Sequence, residues 1–222
     1  MASEPPLKSP KTSGGDAAHT VARAALSAVP VIGGPLVELF QHLVQPPVER
    51  RRARWMEEVG ERLQALSDEG IKLQDLQNNE EFISAVLHTT QIALRTHQEE
   101  KLAALKGALE SIARGQAPED AKQYMFFFLV DTMSPLQLRI LALFRAPPPL
   151  PGINIGGLSL VLEQGIPELR GKRELYDQLW KELFARGLVN TESLSGTMSA
   201  NGLTSRRTTG LGEEFLRFIR AQ

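Results

Sequence analysis

A chain of 222 residues with 42% hydrophobic and 23% charged content has enough apolar material to bury a substantial core in one or two domains. Its net charge of −1 supplies no global attraction to nucleic acid or anionic lipid, so contact with either requires a local patch. Cysteine is absent, which removes disulfides, thiolate nucleophiles and thiolate metal sites.

The first sixteen residues, MASEPPLKSPKTSGGD, hold three prolines and two glycines with little apolar surface to offset ordering, and are expected to be a disordered tail. The apolar stretch begins only after a polar leader, unlike a secretory signal, so a cytoplasmic location is expected. Residues 24–44, AALSAVPVIGGPLVELFQHLV, form the most apolar run of their length. Only fourteen residues, 24–37, precede Glu38, against the roughly 20 a membrane span needs. Pro30, Gly33, Gly34 and Pro35 also interrupt any single helix. Two short helices are expected, one from Asp16 as N-cap to about residue 28, the other from Pro35 to about 44, forming a hairpin packed on the bundle. Arg50, Arg51, Arg52 and Arg54 follow at once. They fit a solvated helix face, and are also the candidate contacts for a membrane surface or a partner.

Antiparallel helices come next. Trp55, Val59, Leu63 and Leu66 predict a helix over about 47–67, stopping near Gly70. Asn78 or Asn79 can cap a helix carrying Phe82, Ile83, Val86, Leu87 and Thr90 on one side, with His88 on its polar side. Leu102, Leu105, Leu109 and Ile112 form a narrow seam in the following segment, either a separate helix or a continuation bent around Thr96. His97 and Glu100, three apart, are two ligands where a metal centre needs three or four, so a solvated, ion-paired surface is expected. Glu119 and Asp120 open a helix through QYMFFFLVDTM, whose FFFLV, apolar all round, is expected to be the most buried stretch mid-chain. Ser134, Pro135 and Gln137 then have the makings of an N-cap, first-turn proline and capping box, and RAPPPLPG ends the helix they start.

Residues 134–222 resemble the winged helix-turn-helix fold. SPLQLRILALF would be the first helix, GGLSLVLEQG the second and RELYDQLWKELFARG the third, the last with Leu175, Tyr176, Leu179, Trp180, Leu183 and Phe184 on one side. LVNTESLSGTMSANGLTSRRTT would be strand, loop and strand, a wing, and TTGLGEEFLRFI a final helix packed back on the first. The whole chain is also similar to a group of bacterial helical proteins with a "PVIGGPL" hairpin and an "RTHQEEKLAALKGAL" helix, a likeness that carries architecture and no activity.

The expected fold is therefore mainly α: a tail over 1–16, a helical bundle over 17–133 and a winged-helix-like α+β unit over 134–222. In that resemblance the third helix and wing would touch DNA, which makes Arg173, Lys181, Arg206 and Arg207 the candidate nucleic-acid contacts. Yet Arg173, Lys181 and Arg186 face Glu174, Asp177 and Glu182 on the same helix, and from Glu168 onward nine basic residues meet seven acidic ones. No nucleophile, phosphate-loop or dinucleotide motif occurs, and Gly156 and Gly157 at a helix start suit a loop better than an anion cradle. No catalysis, cofactor or metal is expected. A non-catalytic docking protein with a protein partner is the first expectation, DNA regulation the second and membrane action the third; self-association is compatible with all three.

Overall fold

The computed structural model describes residues 33–220, with the backbone alone for 33–46. The expected tail, the short helix from Asp16 and the first part of the apolar run lie outside the described residues. The chain divides into residues 1–50 and 51–222. The described part of the first unit is helical from Gly33 onward.

Among the described residues the protein is mainly helical, with ten helices and one two-stranded antiparallel sheet. Helix α1 spans Gly33–Asp68, which corrects the expectation of separate helices over 35–44 and 47–67. Pro46 and Pro47 withhold two amide donors, the reason a boundary is expected there, but the φ they impose, near −65°, is itself helical and α1 continues through them. A short α2, Leu73–Gln77, precedes α3, Glu80–Arg95, whose first turn is capped by the Asn79 side chain accepting from Phe82 N at 3.0 Å. Thr96 then turns extended and its hydroxyl accepts from Gln98 N, so α4, Glu99–Ala113, is a separate helix.

The narrow seam seen in the sequence understates α4. It is buried on nearly every side, with α3, α5 (Asp120–Thr132), α6 (Pro135–Arg145) and α10 (Gly210–Ile219) packed on it. Ala104, Gly107 and Ala108, too small to register in a hydrophobic pattern, let these neighbours approach. Its buried polar groups are matched: Lys101 Nζ donates to the Asp131 carbonyl at 2.7 Å, Glu110 pairs with Arg62, and Ser111 Oγ donates to the Phe218 carbonyl at 2.8 Å.

The capping box at Ser134 forms in both directions, Gln137 N donating to Ser134 Oγ and Ser134 N to Gln137 Oε1. After α6 come β1 (Ile155–Gly157), α7 (Leu158–Gly165), a 3-10 turn at Pro167–Leu169 and α8 (Arg173–Ala185). Then follow β2 (Thr197–Ser199), α9 (Ala200–Thr204) and α10. β1 pairs antiparallel with β2, Ile155 opposite Ser199 and Gly157 opposite Thr197, so Gly156 and Gly157 are strand residues and not loop.

The strand–loop–strand expected over 188–209 is corrected as well. Its arms meet only at their base, where Val189 bridges Thr208; beyond Ser199 the chain coils into α9, capped by the Ser199 hydroxyl, because coiling buries Leu203. On α8, Tyr176, Trp180 and Leu183 are buried, while Leu175 and Phe184, expected on the same side, are exposed. Trp180 anchors the helix by stacking edge-on against Phe144 at 4.7 Å and donating to the Thr191 carbonyl. The last helix, expected to fold back on the helix at 134–145, leans chiefly on α4 and only secondarily on α6. Phe126 meets Phe215 and Phe218 at 5.4 and 5.6 Å, and nearly all the buried apolar residues from Trp55 to Ile219 form one cluster. Position 133, where the bundle was expected to end, falls inside that continuous core.

Candidate docking face

The FFFLV stretch is not buried all round. Phe126, Phe127, Leu129 and Val130 enter the core, but Phe128 is 62% exposed, as are Tyr124 on the same helix and Leu87 on α3. A helix in the outer layer turns one side to α4 and α10 and the other to solvent, so an all-apolar helix must leave part of itself uncovered. Tyr124 and Phe128, four residues apart, share the outward side of α5. His88 fills the crease between α3 and α5, its ring edge-on to Tyr124 at 6.1 Å and tilted over Phe127 at 5.2 Å. Leu87, next to it in sequence on α3, is exposed as well. Met125 is also exposed.

Charge differs at the two ends of this face. α3 and α5 both begin at the same end, where Glu80, Glu81 and Asp120 line a recess of about 260 Å³ with Ser84, His88, Gln123 and Tyr124. First-turn carboxylates are favoured there by the helix dipoles, and none of the three forms an ion pair among the described residues. Gln123 donates to both Glu81 and the Pro118 carbonyl, fixing that wall. At the other end Arg95 pairs with Asp131 at 2.9 Å and Arg186 donates to Thr132 Oγ1 at 2.7 Å, closing the crease. Burial pushes the Lys101 ammonium behind it below the usual lysine range, with Asp131 pulling the other way.

The residues singled out in the sequence lie elsewhere. Arg54 pairs with Glu58 at 2.7 Å and Glu99 at 3.0 Å, and Arg51 donates to the Leu94 carbonyl, so this part of the arginine run braces α1 against the α3–α4 junction; Arg50 and Arg52 are exposed. His97 sits in the break before α4, not on a helix with Glu100, and the two line different recesses. No group of three or more metal-binding side chains occurs among the described residues. Arg173 is tied to Asp177 and to Ser195 Oγ at 3.1 Å, Lys181 is exposed, and Arg206 lies 3.9 Å from Glu213. Arg207 is folded inward, donating to the Gly202 carbonyl and to Met198 Sδ, so its guanidinium holds the loop together and is not turned outward as a wing contact would be.

A cleft of about 760 Å³ between α4, α6 and α10 has a small-residue floor of Ala103, Ala104, Gly107 and Ala142. Of its arginines, Arg62 and Arg139 are paired, with Glu110 and Glu168, while Arg220 lines both this cleft and a second one between α4 and α10. No single helix among the described residues is long and apolar enough to cross a membrane. No protein family, curated protein or solved structure matches the chain. The exposed face on α3 and α5 escaped sequence reasoning because periodicity marks Tyr124 and Phe128 as apolar without saying which side of α5 finds cover.

Proposed function

We propose that the protein is a non-catalytic interaction module that docks a partner protein on the α3–α5 face. The observation that carries this is the exposed aromatic pair Tyr124 and Phe128, each 62% exposed on one side of α5, with Tyr124 packed against His88 of α3. Exposed aromatic surface of this kind, with polar groups at its edges, is the ordinary signature of a protein interface. The occupant that fits is an amphipathic segment of another protein, with an apolar stripe for the aromatic centre and a Lys or Arg for the recess lined by Glu80, Glu81 and Asp120.

Residues 134–220 support the same reading as a variant of the winged-helix arrangement used for contact and architecture. The order helix, strand, helix, helix, strand and the β1–β2 pair agree with it. The DNA-binding reading has weaker support, since Arg207 is spent inside its own loop and Arg173 is engaged by Asp177. Duplex binding that falls with salt and with Lys181→Ala and Arg206→Ala would favour DNA instead.

The direct test places a photoreactive amino acid at Tyr124, crosslinks in the native cell, identifies the product by mass spectrometry and reconstitutes the pair from purified proteins. Phe128→Lys is expected to weaken the reconstituted complex by at least about tenfold, the effect of losing one aromatic anchor. A complex indifferent to Phe128→Lys would remove the proposal.

A further inference from the structure

A second surface, separate from the docking face, is built from arginine. α4 and α10 end side by side, and between their last turns lies a cleft of about 520 Å³. Arg114, Arg217 and Arg220 line it together with Ser111, Gln116 and Phe218. The one carboxylate in its wall, Glu214, is held by Lys122, whose ammonium lies 3.1 Å from both carboxylate oxygens and is in turn raised above the usual lysine range by that bond.

Arginines at helix ends usually serve the orphan carbonyls of the last turn. Here several of those acceptors are already taken. Gln116 N donates to the Ser111 carbonyl at 2.8 Å and Gly115 N to the Ile112 carbonyl at 2.9 Å, with Gly115 at φ +69°, the left-handed geometry that closes a helix. The Phe218 carbonyl is taken by Ser111 Oγ. Arg114 pairs with Glu69 at 2.6 Å through one terminal nitrogen, leaving its Nε buried with no acceptor among the described residues. Arg217 and Arg220 have no ion-pair partner among the described residues. Two exposed guanidiniums without ion-pair partners among the described residues, lining one cleft, match an oxyanion with several acceptor oxygens.

We propose that this cleft binds a phosphate group, held by Arg217 and Arg220, with Arg114 adding positive charge at its wall. The volume exceeds that of inorganic phosphate, so a phosphomonoester of a small molecule fits it better than the free ion. The test is calorimetric titration of the full chain at low ionic strength with inorganic phosphate, and separately with glycerol 3-phosphate and a nucleoside 5′-monophosphate. The paired variants are Arg217→Ala/Arg220→Ala and a charge-matched control, Arg52→Ala/Lys181→Ala, each checked for an unchanged urea midpoint.

Saturable binding of at least one monoester is expected, weakened on the order of tenfold or more in the Arg217/Arg220 variant, the effect of losing charged hydrogen bonds, and retained in the control. Inorganic phosphate binding as tightly as both monoesters would identify the free ion as the source of the same chemistry. Absence of saturable binding by all three ligands, or equal weakening in the two variants, would overturn the proposal.

Discussion

A methyl group added at Gly212 would run into the carbonyl oxygen of Leu188 and crowd Thr208. Gly212 is buried in the first turn of α10, its N–H donating to Thr209 Oγ1 at 3.0 Å, so neither the helix nor the chain beneath it can easily give way. Gly212→Ala is therefore expected to destabilise the protein by about 1–3 kcal/mol, the range for overpacking a tight contact, read from urea unfolding. Local chemistry of this kind is partly legible in a sequence. Ser134, Pro135 and Gln137 announce a helix start because each satisfies or lacks a particular backbone donor, and the box forms as expected. Nothing comparable marks Gly212, whose constraint comes from a carbonyl twenty-four positions earlier in the chain, or Phe128, whose exposure depends on which helices arrive to cover its neighbours.

Among the elements, α1 is fastened to α4 by charge, and to α3 by Trp55, whose indole donates to Thr90 Oγ1. Lys106 Nζ lies 2.6 Å from Glu58 Oε2, with both side chains largely buried. That hydrogen bond, ahead of an opposing contribution from burial and a further one from Arg54, holds the Glu58 carboxyl below its ordinary value of 4.5. A depressed acid stabilises the fold while it is ionised in both states. The contribution is complete above about pH 4.5 and is lost as pH falls through the lower folded value. Glu58→Gln should cost about 1 kcal/mol at neutral pH and flatten the acid limb of the stability profile relative to the parent protein. Equal acid limbs would show that the pair contributes nothing. Helical segments at α3, α4, α5 and α6 were readable from period and caps, with α3 and α4 left as either separate or continuous, whereas the central position of α4 was not. Its apolar seam is narrow because close packing uses Ala104, Gly107 and Ala108, and small residues look neutral in a pattern that weighs hydrophobic size. The expected wing failed for a related reason: Leu203 is a single apolar residue, and only the three-dimensional core decides that coiling to bury it beats extending.

At the scale of the whole molecule, one core joins Trp55 to Ile219, and the terminal helix is an integral layer of it. Removing residues 210–222 takes away Phe215, Leu216, Phe218 and Ile219. At about 1.5–3 kcal/mol per buried side chain, that loss matches the entire stability of an ordinary domain, roughly 5–15 kcal/mol. The truncated chain should lack a cooperative thermal transition by circular dichroism, and a truncated chain that melted cooperatively would show that the helices before it hold a core of their own. The same core gives the functional proposal its physical sense, because a stable layer of helices can leave Leu87, Tyr124 and Phe128 uncovered without needing them for folding. The most direct test is urea unfolding of the full chain carrying Tyr124→Lys and Phe128→Lys. The account predicts a midpoint unchanged within about 0.5 kcal/mol of stability for each exposed position. A loss of more than about 2 kcal/mol, the cost of placing charge in a packed site, would show that the face is already covered in the free protein and contradict its role as a docking surface.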